Sequence, residues 1–239
     1  MLLNAKALHA RIVCTIALAI LGATSAQVSA TPLESQPARI PDALEAVGDN
    51  IAAEGALVSA SPDARYALRW VMSSRDNQGL PFVMVDKKGG RIFVFEATGQ
   101  LRGVSPVLTG LTPGDHAVPG MAQRSVGSLR VDERTTPAGR FVSEPGHNLQ
   151  GEAIVWIDYT AKLAIHRLRP AAQAERRAER LASETPDDNR ISLGCVVVPV
   201  SFYETVVGPV LGKSRGVVYI LPETQPVQRM LGALQFSQR

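Results

Sequence analysis

The sequence predicts a mainly β, α+β fold, and three observations carry that expectation. Residues 81–108 hold three short apolar runs separated by turn chemistry. Residues 153–168 hold a nearly continuous apolar run and then an alternating one. Helical readings fall mainly before residue 76, around residues 170–183 and in the last forty residues. The 239-residue chain is 45% hydrophobic and 20% charged, which suits a packed core and argues against general disorder.

Each element has its own justification. Residues 31–41 are rich in Pro, Ser and Ala and read as a lead-in. Ala43, Leu44, Val47 and Ile51 give Asp42 to Gly55 weak amphipathic helical spacing. Ser61-Pro62-Asp63 is a helix start: an N-cap, a proline at the first helical position and an acid in the first turn. Ala64, Leu68, Val71 and Met72 carry that helix to about Arg75.

A β-meander then follows. Pro81 to Val85, Arg91 to Glu96 and Leu101 to Leu108 are expected strands, joined by turns at Asp86-Lys87-Lys88-Gly89-Gly90 and Ala97-Thr98-Gly99-Gln100. Thr109 to Gly127 reads as a loop in which Asp115 and His116 face water. Thr136 to Phe141 is a turn entering a strand, and Pro145 to Asn148 a further turn carrying a surface His147. Ala153 to Tyr159 is a strand buried on both faces, and Lys162 to Leu168 an alternating one. Pro170 to Ser183 reads as an exposed, charged helix. Phe202 to Leu211 is a short helix or extended segment, Gly216 to Leu221 a last strand, and the tail beyond Pro226 a loose helix. The expected division is 1–30, 31–79, 80–222 and 223–239.

Residues 1–30 read as a cleaved export signal. Lys6 and Arg11 precede an apolar run from Ile12 to Gly22, too short to span a bilayer, and small residues suited to cleavage follow at 24–30. Cys14 lies within the run and does not read as a lipidation site. The expected location is periplasmic or secreted, with no stable membrane anchor after cleavage. Cleavage removes two cations and no acid, taking the formal charge from +3 to +1. Nothing in that balance resembles a nucleic-acid footprint. Cys195 is then left as the one cysteine of the mature chain, and an exported lone cysteine is either sequestered or reactive.

Cys195 sits in Arg190-Ile191-Ser192-Leu193-Gly194-Cys195-Val196-Val197-Val198-Pro199. Glycine before cysteine permits a sharp turn, which can present a thiol beside backbone donors as acyl transfer requires. The competing reading is a core cysteine opening a Val-rich strand. A thiol nucleophile needs a base, and His166 is the one of His116, His147 and His166 that falls in an expected strand. A strand histidine can equally be structural.

At these residues the chain resembles the L,D-transpeptidase, or YkuD-type, catalytic domain. That family's motif is a histidine, a spacer, then Ser/Thr-His-Gly-Cys and an apolar residue. His166 matches the first part, and Ser192, Gly194, Cys195 and Val196 the second. Residues 83–95, Pro106 to Gly110 and Thr136-Pro137-Ala138-Gly139 are similar to the family's other landmarks, so the likeness runs from about Pro81 to Leu221. Leu193 stands where the family has His or an aromatic residue, Val197 where it has Asn or Arg, and the spacer is longer. The resemblance implies a YkuD-like β-sandwich and an exported cysteine acyltransferase on peptidoglycan stem peptides, inhibited by carbapenems and needing no cofactor or metal. It implies Cys195 as nucleophile, His166 as base, and the Arg167 carbonyl as its orienter. Gly194 and Cys195 amides would bind the oxyanion, Ser192 shape the turn, and Arg190 contact substrate. A carboxypeptidase or amidase of the same fold, or an inactive wall-binding module, are the alternatives.

Overall fold

The computed structural model describes residues 57–237. The expected export signal, the lead-in and the helix over 42–55 lie outside the described residues.

The meander expected from turn chemistry is present as β1 (Phe82–Asp86), β2 (Arg91–Phe95) and β3 (Leu101–Pro106). β4 (Thr109–Gly110) is short, and β5 (Gly139–His147), β6 (Ala153–Asp158) and β7 (Leu163–Arg167) form a second meander. β8 (Arg190–Ser192), β9 (Val196–Val198) and β10 (Gly216–Ile220) complete the strands. The larger sheet has the order β3-β2-β1-β10-β5-β6-β7-β9, and β4 pairs with β8 apart from it. β10 is buried along its whole length, which its Val-Val-Tyr-Ile sequence suits. It pairs parallel to β1 and antiparallel to β5. The observed class is mainly β with a few short helices.

Two apolar layers follow from the two-residue period of the strands. Val83, Val85, Ile92, Val94, Val218 and Ile220 share a core with Val155, Ile165, Val196 and Val198. The two halves of the sheet therefore face each other across one core, as in a sandwich, yet stay continuous through β5. Tyr203, Val207 and Leu211, from the helical stretch Val200 to Leu211, close that core. The alternate residues, Phe82, Met84, Phe93, Phe95, Val217 and Tyr219, form the second layer. Helix Pro62–Ser74 covers it, capped by the Ser61 hydroxyl on the Ala64 amide and ended by a left-handed Arg75. Helix Val227–Ser237 joins it there through Val227 and Leu231. The segment beyond Pro226 is thus packed on the core and is no loose tail.

Four other local expectations are corrected. Pro145 to His147 is strand, because β5 changes partners along its length. Gly139 to Ser143 pair with β10 and Glu144 to His147 with β6. Pro145 falls just past the β10 ladder, where its missing N–H costs no pairing. The turn comes later, where the Asn148 carboxamide oxygen accepts the Gln150 and Glu152 amides. β6 is not buried on both faces, since Trp156 is only partly covered. Its ring lies over Gly146, where a Cβ would come within 2.6 Å of it, and meets Tyr159 edge-on at 5.0 Å. The charged segment over 170–183 is not one helix. A 3₁₀ turn, Gln173–Glu175, and a short helix, Arg177–Ala182, are separated by Arg176 at φ 49°.

The fourth correction concerns Asp115, which the loop composition assigns to solvent. His116 is exposed, but the Asp115 side chain is 0% accessible and pairs with an equally buried Lys87 at 2.9 Å. The Lys87 ammonium also donates to the Gly114 and Thr136 carbonyls and lies 3.3 Å from Glu223. Burial alone would raise the Asp115 pKa. Donation from the Thr224 hydroxyl, Lys87 and the Glu223 amide overrides it and lowers the carboxyl to about 2. A loop that encloses a charge must satisfy it, and this one does so with four donors. Lys87→Met removes the cation and leaves Asp115 buried alone. The expected loss is about 3–5 kcal/mol, read from urea unfolding at neutral pH.

Candidate active site

Parallel pairing of β7 with β9 sets Ile165, His166 and Arg167 opposite Val196, Val197 and Val198. Side chains alternate across a strand, so Ile165, Val196 and Val198 enter the core while His166 and Val197 take the other face. Cys195 immediately precedes β9, and the same alternation carries it to that outer face. His166 and Cys195 are therefore diagonal neighbours on adjacent strands, a relation that spans about 7–8 Å between Cα atoms.

His166 is 8% exposed. Its Nδ1 lies 2.8 Å from the Arg167 carbonyl oxygen, which can only accept, so Nδ1 carries the proton and Nε2 is left with a lone pair. Burial lowers the imidazole pKa to about 4, against the Arg167 carbonyl, which raises it; Arg169 and Arg177 lower it further and Glu152 raises it. The ring is neutral at pH 7.

Cys195 is half-buried, and its thiol donates to the Lys162 carbonyl at 3.6 Å. Burial raises the thiol pKa, opposed by a backbone hydrogen bond from Ala164 and the charge of Arg169. Thiol and ring are not hydrogen-bonded to each other. Each environment favours the neutral form, so the resting pair is thiol and imidazole. A standing thiolate–imidazolium pair does not fit these surroundings.

The turn before the cysteine is held from three sides. Gly194 has φ 138°, and a Cβ there would lie 2.9 Å from the Thr135 carbonyl oxygen, so both conformation and space select glycine. The Gly194 amide donates to the Ser192 hydroxyl at 3.1 Å, and that hydroxyl donates to the Cys195 carbonyl at 2.7 Å. The Thr136 hydroxyl donates to the Gly194 carbonyl at 2.7 Å. The Ser192 hydroxyl thus bridges the Gly194 amide and the Cys195 carbonyl. Gly194 is corrected: its N–H is occupied within the turn, which leaves the Cys195 N–H as the expected oxyanion donor.

Arg190 is corrected as well. Its guanidinium pairs with Glu223, its side chain is 14% exposed, and its Nε is buried without a partner. It belongs to the ionic cluster around Lys87, through Glu223. Val197 is sealed against Leu108 and Leu181, below the charged segment, so it takes no part in substrate contact. Leu193 differs. With Met121, Leu129, Pro137 and Lys162 it lines a small, solvent-open cleft of about 40 Å³ that reaches Cys195. His116 and His147 are exposed, as expected of loop and surface positions.

No family model matches the chain, and no curated protein does. Among solved structures, an L,D-transpeptidase from Xylanimonas cellulosilytica is similar, with 15% identity and a TM-score of 0.36. The likeness covers 59% of this chain and 60% of that one, so it spans less than two thirds of either. It is too distant to assign a role to any residue.

Thr136 and the Lys162 carbonyl escape a reading by residue type. Thr136 was visible only as part of a Thr-Pro turn, and a backbone oxygen has no sequence signature at all.

Two outcomes test this account. Gly194→Ala must strain the turn against Thr135, and a loss of about 2–3 kcal/mol is expected in thermal unfolding. His166 gives a pH signature. Its folded pKa of about 4 lies below the 6.5 of an unfolded histidine, so the unfolded chain takes up the proton first. The stability linked to it is complete above pH 6.5 and is lost as pH falls through 4, by about 3 kcal/mol at most. Urea unfolding from pH 7 to 4 is expected to fall more steeply for the wild type than for His166→Gln.

Proposed function

We propose that the chain is an exported cysteine acyltransferase that cross-links peptidoglycan stem peptides. The observation that carries this reading is the 2.8 Å contact between His166 Nδ1 and the Arg167 carbonyl, on the strand beside the cysteine. It supports a general base, because it leaves Nε2 unprotonated on the face that Cys195 shares. The small open cleft at Cys195 and the partial exposure of that residue support solvent access to the thiol. The motif likeness around His166, Ser192, Gly194 and Cys195 supports the substrate class.

In this mechanism the Cys195 sulfur attacks the carbonyl carbon before the terminal D-Ala of a tetrapeptide stem. His166 Nε2 takes the thiol proton as the carbon–sulfur bond forms. The carbonyl oxygen becomes an oxyanion at the Cys195 amide, a donor typically worth about 3 kcal/mol of barrier. The tetrahedral carbon then expels D-Ala as its amine, protonated by the imidazolium, and a thioester remains on Cys195. An amine of a second stem attacks the thioester, gives its proton to His166 and releases the thiol.

Intact-protein mass spectrometry tests the assignment. A carbapenem is expected to add its full mass to the mature chain, and a tetrapeptide stem its mass less D-Ala. Neither adduct is expected with Cys195→Ala, and an adduct persisting there overturns the nucleophile. Release of D-Ala without any cross-linked product would move the reading to a hydrolase.

A further inference from the structure

Thr136 is 1% exposed and lies on a different segment from both site residues, yet its hydroxyl is spent on the nucleophile turn. The oxygen accepts the Gly110 amide at 2.8 Å and donates to the Gly194 carbonyl at 2.7 Å. A hydroxyl has one proton, so with Gly110 donating to it that proton belongs to Gly194. The Gly194 carbonyl is half of the peptide unit whose N–H is that of Cys195. In a planar trans peptide the two bonds point in opposite directions. Fixing the carbonyl on Thr136 therefore fixes the direction of the Cys195 N–H. Because the Gly194 amide is tied to Ser192, that N–H is the donor the turn leaves for an oxyanion.

Thr136 is itself held. Its carbonyl accepts from the buried Lys87 ammonium at 2.7 Å, and Lys87 is anchored to Asp115. The preceding carbonyl, of Thr135, sits against Gly194 where no side chain fits. A buried ionic cluster is thereby linked through one residue's backbone and hydroxyl to one peptide plane. We propose that Thr136 is a positioning residue for acyl transfer, setting the Cys195 N–H to receive the oxyanion. The inference rests on Cys195 acting as an acyl-accepting nucleophile, but not on the identity of its substrate.

The test separates acylation from mere thiol reactivity. With p-nitrophenyl acetate, the Cys195 sulfur attacks the ester carbonyl, an oxyanion forms, the bond to nitrophenolate breaks, and the thiol proton passes to His166. With iodoacetamide, the same sulfur displaces iodide and no oxyanion forms. Thr136→Val is expected to slow acetylation of Cys195 about tenfold to a hundredfold while alkylation stays within about twofold. Thr136→Ser, which keeps the hydroxyl, is expected to restore most of the acetylation rate. Thr136→Ala gives the same comparison if valine prevents folding, with thermal unfolding as the check on each variant. The proposal is overturned if the ratio of acetylation to alkylation is unchanged in Thr136→Val or Thr136→Ala. It is equally overturned if both rates fall together, or if wild-type Cys195 is acetylated no faster than a free thiol. These probes contain no peptidoglycan, so failure of the wall-enzyme reading and failure of this one are read separately.

Discussion

The parallel register of β7 on β9 is the constraint on which the site depends. It sets His166 opposite Val197 and so one diagonal step from Cys195 along the adjacent strand. Because side chains alternate, a slip of one residue would send His166 into the core and turn Ile165 outward. The apolar pattern forbids that slip, since Ile165, Val196 and Val198 are buried together with Val155 and Val218. Packing of aliphatic side chains on one face thus determines the chemistry available on the other.

Electrostatics then shapes what that face can do. Burial acts in opposite directions on the two titrating groups, raising the thiol and lowering the imidazole, so both rest uncharged. A neutral pair limits the cost of enclosing the two groups. The Lys87 cluster is the contrasting case. There the charges are enclosed and matched by donors, and they hold the loop that brings Thr136 to the turn before Cys195.

Local chemistry made much of the fold legible. Ser61-Pro62-Asp63 announced a helix, and the glycine-rich turns after Val85 and Ala97 announced the meander, because both signals act within a few residues. The failures share a different cause. Asp115 was assigned to water since its neighbours are loop residues, yet its partners Lys87 and Glu223 stand 28 and more than 100 positions away. Pro145-Gly146-His147 looked like a turn because composition cannot tell that a strand changes partners there. Arg190 looked available for the same reason: Glu223 is invisible from its side of the chain.

By itself the sequence determined which groups could do chemistry: one thiol opening a Val-rich run, one histidine within a strand pattern, and a glycine ahead of the cysteine. It also determined the strands and their apolar faces, because two-residue periodicity is a local property. Only the tertiary structure decided that thiol and imidazole share a face, that both are neutral, and that the Gly194 amide is consumed while its carbonyl is held by Thr136. These depend on strand register, burial and hydrogen-bond geometry, which join residues distant along the chain and leave no mark in the order of the residues themselves.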